Sequence, residues 1–246
     1  MRRFFFDKAD REGDSIILDE GESRHITRVL RLEPGAEVEL LDGEGGLYRA
    51  CIETVTKRVK VNIVEVLPDD STDRVPVTVV QGHLKGKKLE LVIQKCTELG
   101  VSSMDLFWSS RCQGKLDDIR GGKKLERYQR IVESACKQCY RPDLMGLREA
   151  VDFYQLLDLY ENKPGRLKLL FWEEERTTSL RDISFNEDEV SELMVLLGPE
   201  GGLTEQEVQA ARDAGWHSVS LGKRILRAET ATIAAVSIGQ YLVGNI

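Results

Sequence analysis

The sequence has no hydrophobic segment long enough to cross a membrane. Among its 246 residues, no apolar run approaches the roughly 18 residues that a spanning helix needs. The start, MRRFFFDKAD, has only three phenylalanines before charged residues return, which is too few for the core of a signal peptide. We therefore predict a cytoplasmic location and no membrane partner.

Histidine and cysteine are also scarce. The chain has three histidines and five cysteines, and an odd number of cysteines without an export signal favours reduced thiols. Cys136 and Cys139 form a C-x-x-C pair, which is compatible with a redox pair or with half of a zinc site, but the sequence has no second such pair and no paired histidines. Because LERYQRIVESACKQCYRP has a helical pattern, we predict that the two thiols share a helix face and that no metal is bound.

The glycine-rich phosphate-binding motifs are missing as well. The sequence contains neither G-x-G-x-x-G nor a Walker A motif, and its acidic residues are not spaced to hold Mg²⁺. We interpret the run Glu173, Glu174 and Glu175 as a solvated loop. These absences argue against a dinucleotide-dependent enzyme and against a nucleotide-hydrolysing one.

Charge is distributed unevenly along the chain. The net charge of −7 by itself argues against a polyanionic partner. Between positions 85 and 141, however, there are thirteen basic and seven acidic residues, whereas positions 173 to 192 hold eight acids and two arginines. This asymmetry suits one basic and one acidic face, so it permits nucleic-acid binding without demonstrating it. Lys85, Lys87 and Lys88 are equally compatible with a solvated helix start.

The first 68 residues have the pattern of β structure. Short runs rich in β-branched and aromatic residues follow one another, and Asp42-Gly43 and Gly45-Gly46 supply the positive-φ positions of a hairpin. Several strands in so short a segment predict a small β-barrel, with the phenylalanines at positions 4 to 6 in its core. The polar, proline-bracketed stretch 68–76 predicts a linker. The strand candidates are RRFFF, SIIL, EVELLDGEGGLYRACIETV and KVNIVEVL.

Beyond the linker, apolar strands alternate with helices. Uninterrupted apolar strands that alternate with helices predict a parallel sheet covered on both faces, so the fold class is α/β. The strand candidates are VPVTVVQG, MDLFW, LKLLFW, LMVLLG and HSVSLG, and the helix candidates are KGKKLELVIQKCTELGV, residues 123–140, TEQEVQAARDAG and ETATIAAVSIGQYLV.

Two loops in the last third of the chain follow apolar strands. LGPEGGLT has three glycines and a proline, which let the backbone approach a ligand closely, and ligands of open α/β sheets bind at the carboxyl ends of the strands. Thr204 and Glu207 predict a capping box for the next helix, and Gly215 is placed to end that helix. A plain tight turn remains the alternative for this loop.

The second loop, LGKRILRAETA, places two apolar residues among charged ones. Arg227 stands beside the positive end of the last helix, where a cation is unfavourable, so we expect an anionic partner to hold it there. The alternative is an ordinary surface arginine that pairs with Glu229.

Together, and in this order, the two loops resemble the RsmE family of SPOUT-class ribosomal RNA methyltransferases. Two further segments are similar to signatures of that family, HITRVLR followed by Pro34-Gly35 near the N-terminus and KCTELGV in the centre. One departure lies in the central basic helix, where the family usually has a Glu-Gln pair before an arginine. Here the run is Cys136-Lys137-Gln138-Cys139-Tyr140-Arg141.

The resemblance implies two domains and a cofactor. Residues 1–70 are expected to form a PUA-like β-barrel that binds RNA, and residues 73–246 a SPOUT methyltransferase domain that contains a trefoil knot and binds S-adenosylmethionine. The implied partners are 16S rRNA or the small ribosomal subunit, and a second copy of the chain in a homodimer.

The resemblance also assigns site residues. Cofactor binding falls on Phe171, Gly198, Glu200, Gly201, Gly202, Leu221, Gly222, Ile225 and Leu226, and RNA binding on Arg3, His25, Arg28, Arg31 and Arg141. His25 is also compatible with a barrel residue that makes one hydrogen bond.

The implied acceptor is N3 of a uridine, which is a poor nucleophile until it loses its proton. Arg227 is the candidate cation for the developing anion, and Glu229 the candidate base or the group that orients Arg227. The base must be unpaired or flipped, because N3 lies on its Watson–Crick edge. The alternatives are methylation of a ribose 2′-hydroxyl or of a transfer RNA, and a non-enzymatic RNA-binding assembly factor.

Overall fold

Two six-stranded sheets organise the part of the chain that the structure, a computed structural model, describes: residues 1–68, 75–114, 116 and 122–246. The chain divides into a first unit, Met1–Thr72 with Cys136–Leu144, and a second unit, Asp73–Ala135 with Met145–Ile246. Most of the predicted linker, 68–76, lies outside the described residues. No helix in the described ranges is both long and apolar enough to cross a bilayer.

The first unit contains a mainly antiparallel sheet. Its strands lie in the order β1-β4-β5-β6-β3-β2, and β1 runs parallel to β4 while the other neighbours are antiparallel. Phe4 and Phe6 lie in its core, as predicted. The strands are β1 (Arg3–Phe5), β2 (Arg11–Glu12), β3 (Ser15–Ile17), β4 (Glu37–Leu41), β5 (Leu47–Val55) and β6 (Val59–Leu67).

The predicted hairpin between β4 and β5 is confirmed. Gly43 and Gly45 have φ angles of 76° and 98°, and the Asp42 carboxylate accepts hydrogen bonds from the backbone N–H groups of Glu44 and Gly46. The turn therefore forms at glycine positions that tolerate positive φ, with an aspartate to satisfy its amides.

A helical segment between β3 and β4 was not predicted. Helix α1 (Glu20–Arg24) starts after Asp19, whose side chain caps the Glu22 N–H, and a π-helical turn (His25–Leu30) continues it to Arg31 at φ 52°. The segment is too short for apolar periodicity to reveal it. It displays basic residues on the surface of the first unit.

The second unit contains a wholly parallel sheet. The strand order is β12-β10-β11-β7-β8-β9, and every neighbouring pair is parallel. The carboxyl ends of all its strands therefore lie along one edge. The strands are β7 (Val77–Gly82), β8 (Ser103–Trp108), β9 (Gly146–Asp152), β10 (Arg166–Phe171), β11 (Glu192–Leu197) and β12 (His217–Val219).

Helices cover both faces of this sheet, as predicted. Met194 and Leu196 of β11 belong to the apolar cluster that α4 and α5 cover, while Gly239 of α6 lies against Leu193 and Val195 on the opposite face. The alternation along one strand thus divides its side chains between the two layers. The helices are α2 (Lys87–Glu98), α3 (Gly122–Cys139), α4 (Phe153–Leu159), α5 (Glu205–Asp213) and α6 (Ala228–Leu242).

Helix ends follow the predicted signals. Thr204 and Glu207 form the reciprocal capping box of α5, and Gly215 follows its end at φ 85°. Cys136 and Cys139 lie in the last turn of α3, as the helical sequence pattern predicted. The Cys136 thiol donates to the backbone carbonyl of Asp143, and the Cys139 thiol donates to that of Cys136.

Candidate active site

A cavity lies at the carboxyl ends of β10, β11 and β12, between the two loops that the sequence singled out. Its volume is about 800 Å³ including the mouth that opens to solvent. All nine residues predicted for the cofactor line it, and their binding of a cofactor stays a prediction. The lining comprises Phe171, Trp172, Glu173, Leu197, Gly198, Pro199, Glu200, Gly201, Gly202, Ser220, Leu221, Gly222, Arg224, Ile225, Leu226, Ala228 and Ala231.

One wall is the glycine-rich turn, Gly198–Leu203, which depends on glycine at two places. A Cβ on Gly82, at the end of β7, would lie 2.5 Å from the Pro199 nitrogen, and one on Gly202 would lie 1.6 Å from the Glu173 carboxylate. Gly202 also has φ 71°, which L side chains rarely adopt. The turn therefore packs directly against the backbone at one end and against an acidic side chain at the other.

Gln81, which sequence reasoning missed, joins the glycine-rich turn to helix α6. Its side chain is fully buried, and its amide nitrogen donates to the carbonyls of Gly82 and Gly198. Its amide oxygen lies 2.7 Å from the hydroxyl of Thr232 on α6. A polar residue at the carboxyl end of the apolar strand VTVVQ was the signal that could have revealed it.

Two basic side chains hold the outer part of the glycine-rich turn. Lys88 Nζ lies 3.3 Å from Glu200 Oε1, which also accepts from the Lys85 N–H, and Arg111 donates to the carbonyls of Gly201 and Leu203. Burial alone would raise the pKa of Glu200, but these hydrogen bonds hold it below its usual value. The Glu200 carboxylate is thus engaged by the start of α2, while the residue still lines the cavity.

The opposite wall is the isoleucine turn, Leu221–Leu226. Ile225 is 79% exposed, and Leu226 is half-buried. The Gly222 N–H hydrogen-bonds to the hydroxyl of the preceding Ser220. An exposed isoleucine beside a cavity offers apolar surface that a bound ligand would cover.

The interpretation of residues 173–175 as a solvated loop is wrong for Glu175. Its side chain is buried and accepts hydrogen bonds from Thr177, Thr178, Ser218 and Arg212. Burial alone would raise its pKa, but these donors lower the pKa to about 2. Glu175 therefore anchors the segment after β10, which forms the third wall. Its charge is satisfied by the adjacent Thr177 and Thr178 and by two residues far away in the sequence, Arg212 and Ser218.

Arg227 and Glu229 lie beside the cavity and not in its lining. Arg227 is exposed at the N-terminus of α6, and in the described part of the chain it forms no ion pair with Glu229 or any other acid. Glu229 Oε2 is buried and has no hydrogen-bond partner among the described residues. An unpaired cation and an unsatisfied carboxylate oxygen therefore flank Ala228, which does line the cavity.

The residues predicted to bind RNA fall into two groups, both in the first unit. Arg3 and Arg141 have side chains only 11% exposed, with salt bridges to Glu39 at 2.5 Å and to Asp143 at 2.6 Å. The Arg3 guanidinium also stacks 3.8 Å above the ring of Tyr140. These two arginines thus already have partners within the unit.

His25, Arg28 and Arg31 form the second group. All three are exposed on the π-helical turn and just after it, and His25 makes an edge contact with Phe4 at 5.9 Å. They present a basic surface, and their contact with RNA stays a prediction. Among the described residues, no group of three or more histidine, cysteine, aspartate or glutamate side chains is arranged to hold a metal ion.

Known proteins resemble this chain over nearly its whole length. The family described as an RNA methyltransferase domain matches residues 71–240, and the RNA methyltransferase PUA domain matches residues 18–64. Ribosomal RNA small subunit methyltransferase E of Bacillus subtilis is 30% identical, over 98% of this chain and 96% of its own. The protein of the same name from Aquifex aeolicus is 33% identical, over 95% of this chain and 97% of its own.

A solved structure agrees in fold. Ribosomal RNA small subunit methyltransferase E from Neisseria gonorrhoeae, bound to S-adenosyl methionine, superposes with a TM-score of 0.87 at 32% identity and with 98% of each chain covered. These matches confirm the predicted fold class, an α/β methyltransferase domain after a PUA-like β domain. The trefoil knot stays a prediction.

Proposed function

Because the chain belongs to the ribosomal RNA small subunit methyltransferase E family, we propose that it transfers a methyl group from S-adenosylmethionine to N3 of a specific uridine in 16S rRNA. The observation that carries this proposal is the single cavity that the glycine-rich turn and the isoleucine turn form together. Two loops that are separated in sequence together line this space at the carboxyl ends of the strands, which is where ligands of open α/β sheets bind.

The cavity residues fit an adenosyl sulfonium. Leu221, Ile225 and Leu226 offer apolar surface for a flat adenine, and the glycine-rich turn offers backbone groups without side chains in the way. The Glu173 carboxylate, which lies against Gly202, adds negative charge that suits a cationic ligand. S-adenosylmethionine, when bound, supplies an electrophilic methyl group, so no metal is required.

Arg227 and Glu229 would act on the acceptor base. The Arg227 guanidinium would stabilise negative charge on a uracil carbonyl oxygen as the N3 proton leaves. Glu229, whose Oε2 lacks a partner among the described residues, would take that proton directly or through water, or would orient Arg227. The N3–H bond would break with its proton passing to the carboxylate or water, and the nitrogen lone pair would form the new N–CH₃ bond as the bond between that methyl group and sulfur breaks, leaving S-adenosylhomocysteine.

RNA recognition is assigned to the first domain. We propose that residues 1–70 form the RNA-gripping domain and residues 73–246 the catalytic domain, acting in the cytoplasm on 16S rRNA or the small subunit. The exposed Arg28 and Arg31 support this, because exposed cations that lack acidic partners in the described part of the chain suit phosphates, and the exposed His25 lies on the same turn. The partnered Arg3 and Arg141 would contribute by holding the β sheet and the segment after α3 in shape.

A homodimer belongs to the same proposal. Ile238 and Tyr241 of α6 are 37% and 71% exposed, and apolar side chains on a helix next to the cavity suit a subunit interface. Light scattering after size exclusion would test this, and a monomer at micromolar concentration would contradict it.

Cofactor binding is tested first by calorimetric titration with S-adenosylmethionine. We expect saturable binding, and no binding at hundreds of micromolar would favour a non-enzymatic assembly factor. Arg227→Ala should retain this binding and lose methylation of 16S rRNA by about 100-fold or more. Lys223→Ala, an exposed lysine of the isoleucine turn outside the cavity lining, is the matched control and should retain both.

The target atom is tested in a strain that lacks the gene. Mass spectrometry of digested 16S rRNA should show the loss of one 3-methyluridine, which a plasmid copy restores. Loss of a ribose 2′-O-methyl group, or of a mark in transfer RNA, would move the assignment to one of the other methyltransferase reactions.

A further inference from the structure

Five lysines at the carboxyl edge of the second unit have no role in the proposed chemistry. Lys85 precedes helix α2, Lys87 and Lys88 begin it, and Lys123 and Lys124 lie in the first turn of α3. All five are exposed, in a chain whose net charge is −7. We call them the basic rim.

The basic rim adjoins the proposed cofactor cavity. Glu200, which lines the cavity, accepts from the Lys85 N–H at 3.0 Å and from Lys88 Nζ at 3.3 Å. His83, at the end of β7, and Leu125, next to Lys124, line one small cavity. Burial, and then the nearby charge of Lys124, lower the pKa of His83. The starts of α2 and α3 therefore lie on the same side of the sheet edge, close to His83.

An aromatic pair lies within this rim. The rings of His83 and Trp108 stack with centroids 5.3 Å apart and an interplanar angle of 25°, and both residues are half-buried. They stand at the carboxyl ends of neighbouring strands β7 and β8. A partly exposed stack of flat rings among lysines has the chemistry of a nucleobase platform.

The charge of the rim is only partly neutralised within the chain. Lys88 pairs with Glu200, and the nearby Glu90 pairs with Arg127 at 2.7 Å. Within residues 1–68, 75–114, 116 and 122–246, neither Lys85 nor Lys87 takes part in an ion pair, so both side chains are available to a partner.

We propose that the basic rim and the His83–Trp108 pair bind the RNA strand that carries the target base, with phosphates along the lysines and a base stacked at the rings. This inference rests on the proposed function, and it adds an RNA surface to the catalytic unit. An unpaired strand is required, because N3 is accessible only when the target base has no pairing partner. The aromatic pair favours RNA over an acidic protein, since carboxylates gain nothing from a flat ring surface.

The lysines are tested by a charge-matched comparison. Lys85→Gln/Lys87→Gln should weaken binding of a fluorescent single-stranded RNA of about a dozen nucleotides roughly tenfold at 0.15 M salt, and should reduce the slope of log affinity against log salt by about 1.4. The control, Lys163→Gln/Arg181→Gln, removes two exposed cations of the second unit that lie outside the basic rim, and it should change affinity less than about threefold.

The aromatic pair is tested separately. Trp108→Leu should weaken RNA binding by about tenfold with an unchanged salt slope, because stacking releases no counterions, whereas Trp108→Phe should retain most of the affinity. Fluorescence of the remaining Trp172 and Trp216 verifies that each variant is folded.

Titration with S-adenosylmethionine separates this inference from the proposed function. If all variants bind the cofactor and the lysine variant binds RNA like its control, the basic rim is not an RNA surface and the proposed function still stands. If the wild type does not bind the cofactor, the proposed function fails and the RNA measurements still decide the surface. A polyglutamate peptide that competes as well as RNA for the wild type would identify an acidic protein partner and overturn the inference.

Discussion

The two turns that face each other across the cavity are built in different ways. Gln81, Lys88 and Arg111 hold the glycine-rich turn through hydrogen bonds from three neighbouring segments. In the described ranges, no side chain outside residues 220–226 hydrogen-bonds to the isoleucine turn, and Ile225 is 79% exposed. The position of the glycine-rich turn is therefore fixed by contacts with the rest of the fold, whereas the isoleucine turn is available to adjust to a ligand.

Because of this difference, we expect changes in the two turns to affect protein stability and ligand affinity differently. A change at the glycine-rich turn or its supports should lower both the free energy of unfolding and ligand affinity, because the fold itself shapes that wall. A change at the isoleucine turn should lower affinity alone. Unfolding of the second unit can be followed specifically, since all three tryptophans, Trp108, Trp172 and Trp216, belong to it.

The largest effect on cofactor affinity is expected from Gly82→Ala. A Cβ at this position would lie 2.5 Å from the Pro199 nitrogen and 2.8 Å from the Gly198 carbonyl carbon, so the backbone of the glycine-rich turn must move. We expect a loss of about 1–3 kcal/mol in unfolding free energy. Affinity for S-adenosylmethionine should fall on the order of thirtyfold, or about 2 kcal/mol, measured by calorimetry.

Gly146→Ala is the matched control for this change. Gly146 also lies in a strand of the same sheet, but its added Cβ would have its nearest neighbour at 3.5 Å, an ordinary contact distance. Gly146→Ala should leave the unfolding free energy and the affinity for S-adenosylmethionine nearly unchanged. Wild-type affinity in Gly82→Ala would mean that close packing against β7 does not shape the cavity.

The next prediction concerns Glu175, which anchors the third wall of the cavity, and its contribution to the free energy of unfolding depends on pH. The pKa of Glu175 is lowered to about 2 in the folded protein, so its ionised form contributes stability above its unfolded value of 4.5 and loses it as pH falls through the folded value. Glu175→Gln should cost about 2–3 kcal/mol at pH 7, and the difference from wild type should shrink below about pH 4.5. Urea unfolding across this pH range measures it.

Glu174→Gln provides the comparison for Glu175. Glu174 is exposed in the same segment and pairs with the exposed Arg111 at 3.9 Å, so its replacement should change stability by less than about 1 kcal/mol. A constant difference between Glu175→Gln and wild type from pH 7 to pH 3 would contradict the anchoring role of the Glu175 charge.

Most elements of the fold could be predicted because their sequence patterns are strong. Uninterrupted apolar runs predict strands β7, β10 and β11, and an amphipathic stripe predicts helix α2; each pattern is long enough to be recognised in the sequence. Strand β9 (Gly146–Asp152) and helix α4 (Phe153–Leu159) were missed, because the strand is at an edge with mixed polarity and the helix has seven residues. Local pattern also contains no information on strand order, which depends on which faces pack together.

The candidate site was predicted in its loops but not in its supports. The glycines of one turn and the apolar pair of the other are visible in sequence, since turns of this kind have a distinctive composition. Gln81 and Glu175 depend on partners 117 and 43 residues away, at Gly198 and Ser218. Such long-range hydrogen bonds decide whether a polar residue is a support or a solvated side chain, and they exist only once the chain is folded.

A moderate effect is expected from Gln81→Leu, which removes the link between the glycine-rich turn and α6. The Gly198 carbonyl and the Thr232 hydroxyl would each lose a partner in a buried setting, at a cost of about 1–3 kcal/mol in stability. Because the link positions both the glycine-rich turn and the start of α6, we expect the KM for S-adenosylmethionine to rise about tenfold and kcat to fall as well.

Thr232 variants make this prediction specific. Thr232→Ser retains the hydroxyl and should behave like wild type, whereas Thr232→Val should reproduce part of the Gln81→Leu effect on kcat. Equal behaviour of the two Thr232 variants would show that packing, and not the hydrogen bond, determines the position of α6.

The smallest effect is expected at the isoleucine turn, and it tests the contrast most directly. Ile225→Ala removes apolar surface that is already 79% exposed, so the unfolding free energy should change by less than about 0.5 kcal/mol. A ligand that covers Ile225 would lose about 1 kcal/mol of burial, roughly a fivefold weaker affinity for S-adenosylmethionine. Ile246→Ala, an isoleucine that is 68% exposed at the chain end, is the control and should change neither quantity. If Ile225→Ala destabilises the unit as much as Gln81→Leu does, the isoleucine turn is a fixed wall and the contrast between the two turns is wrong.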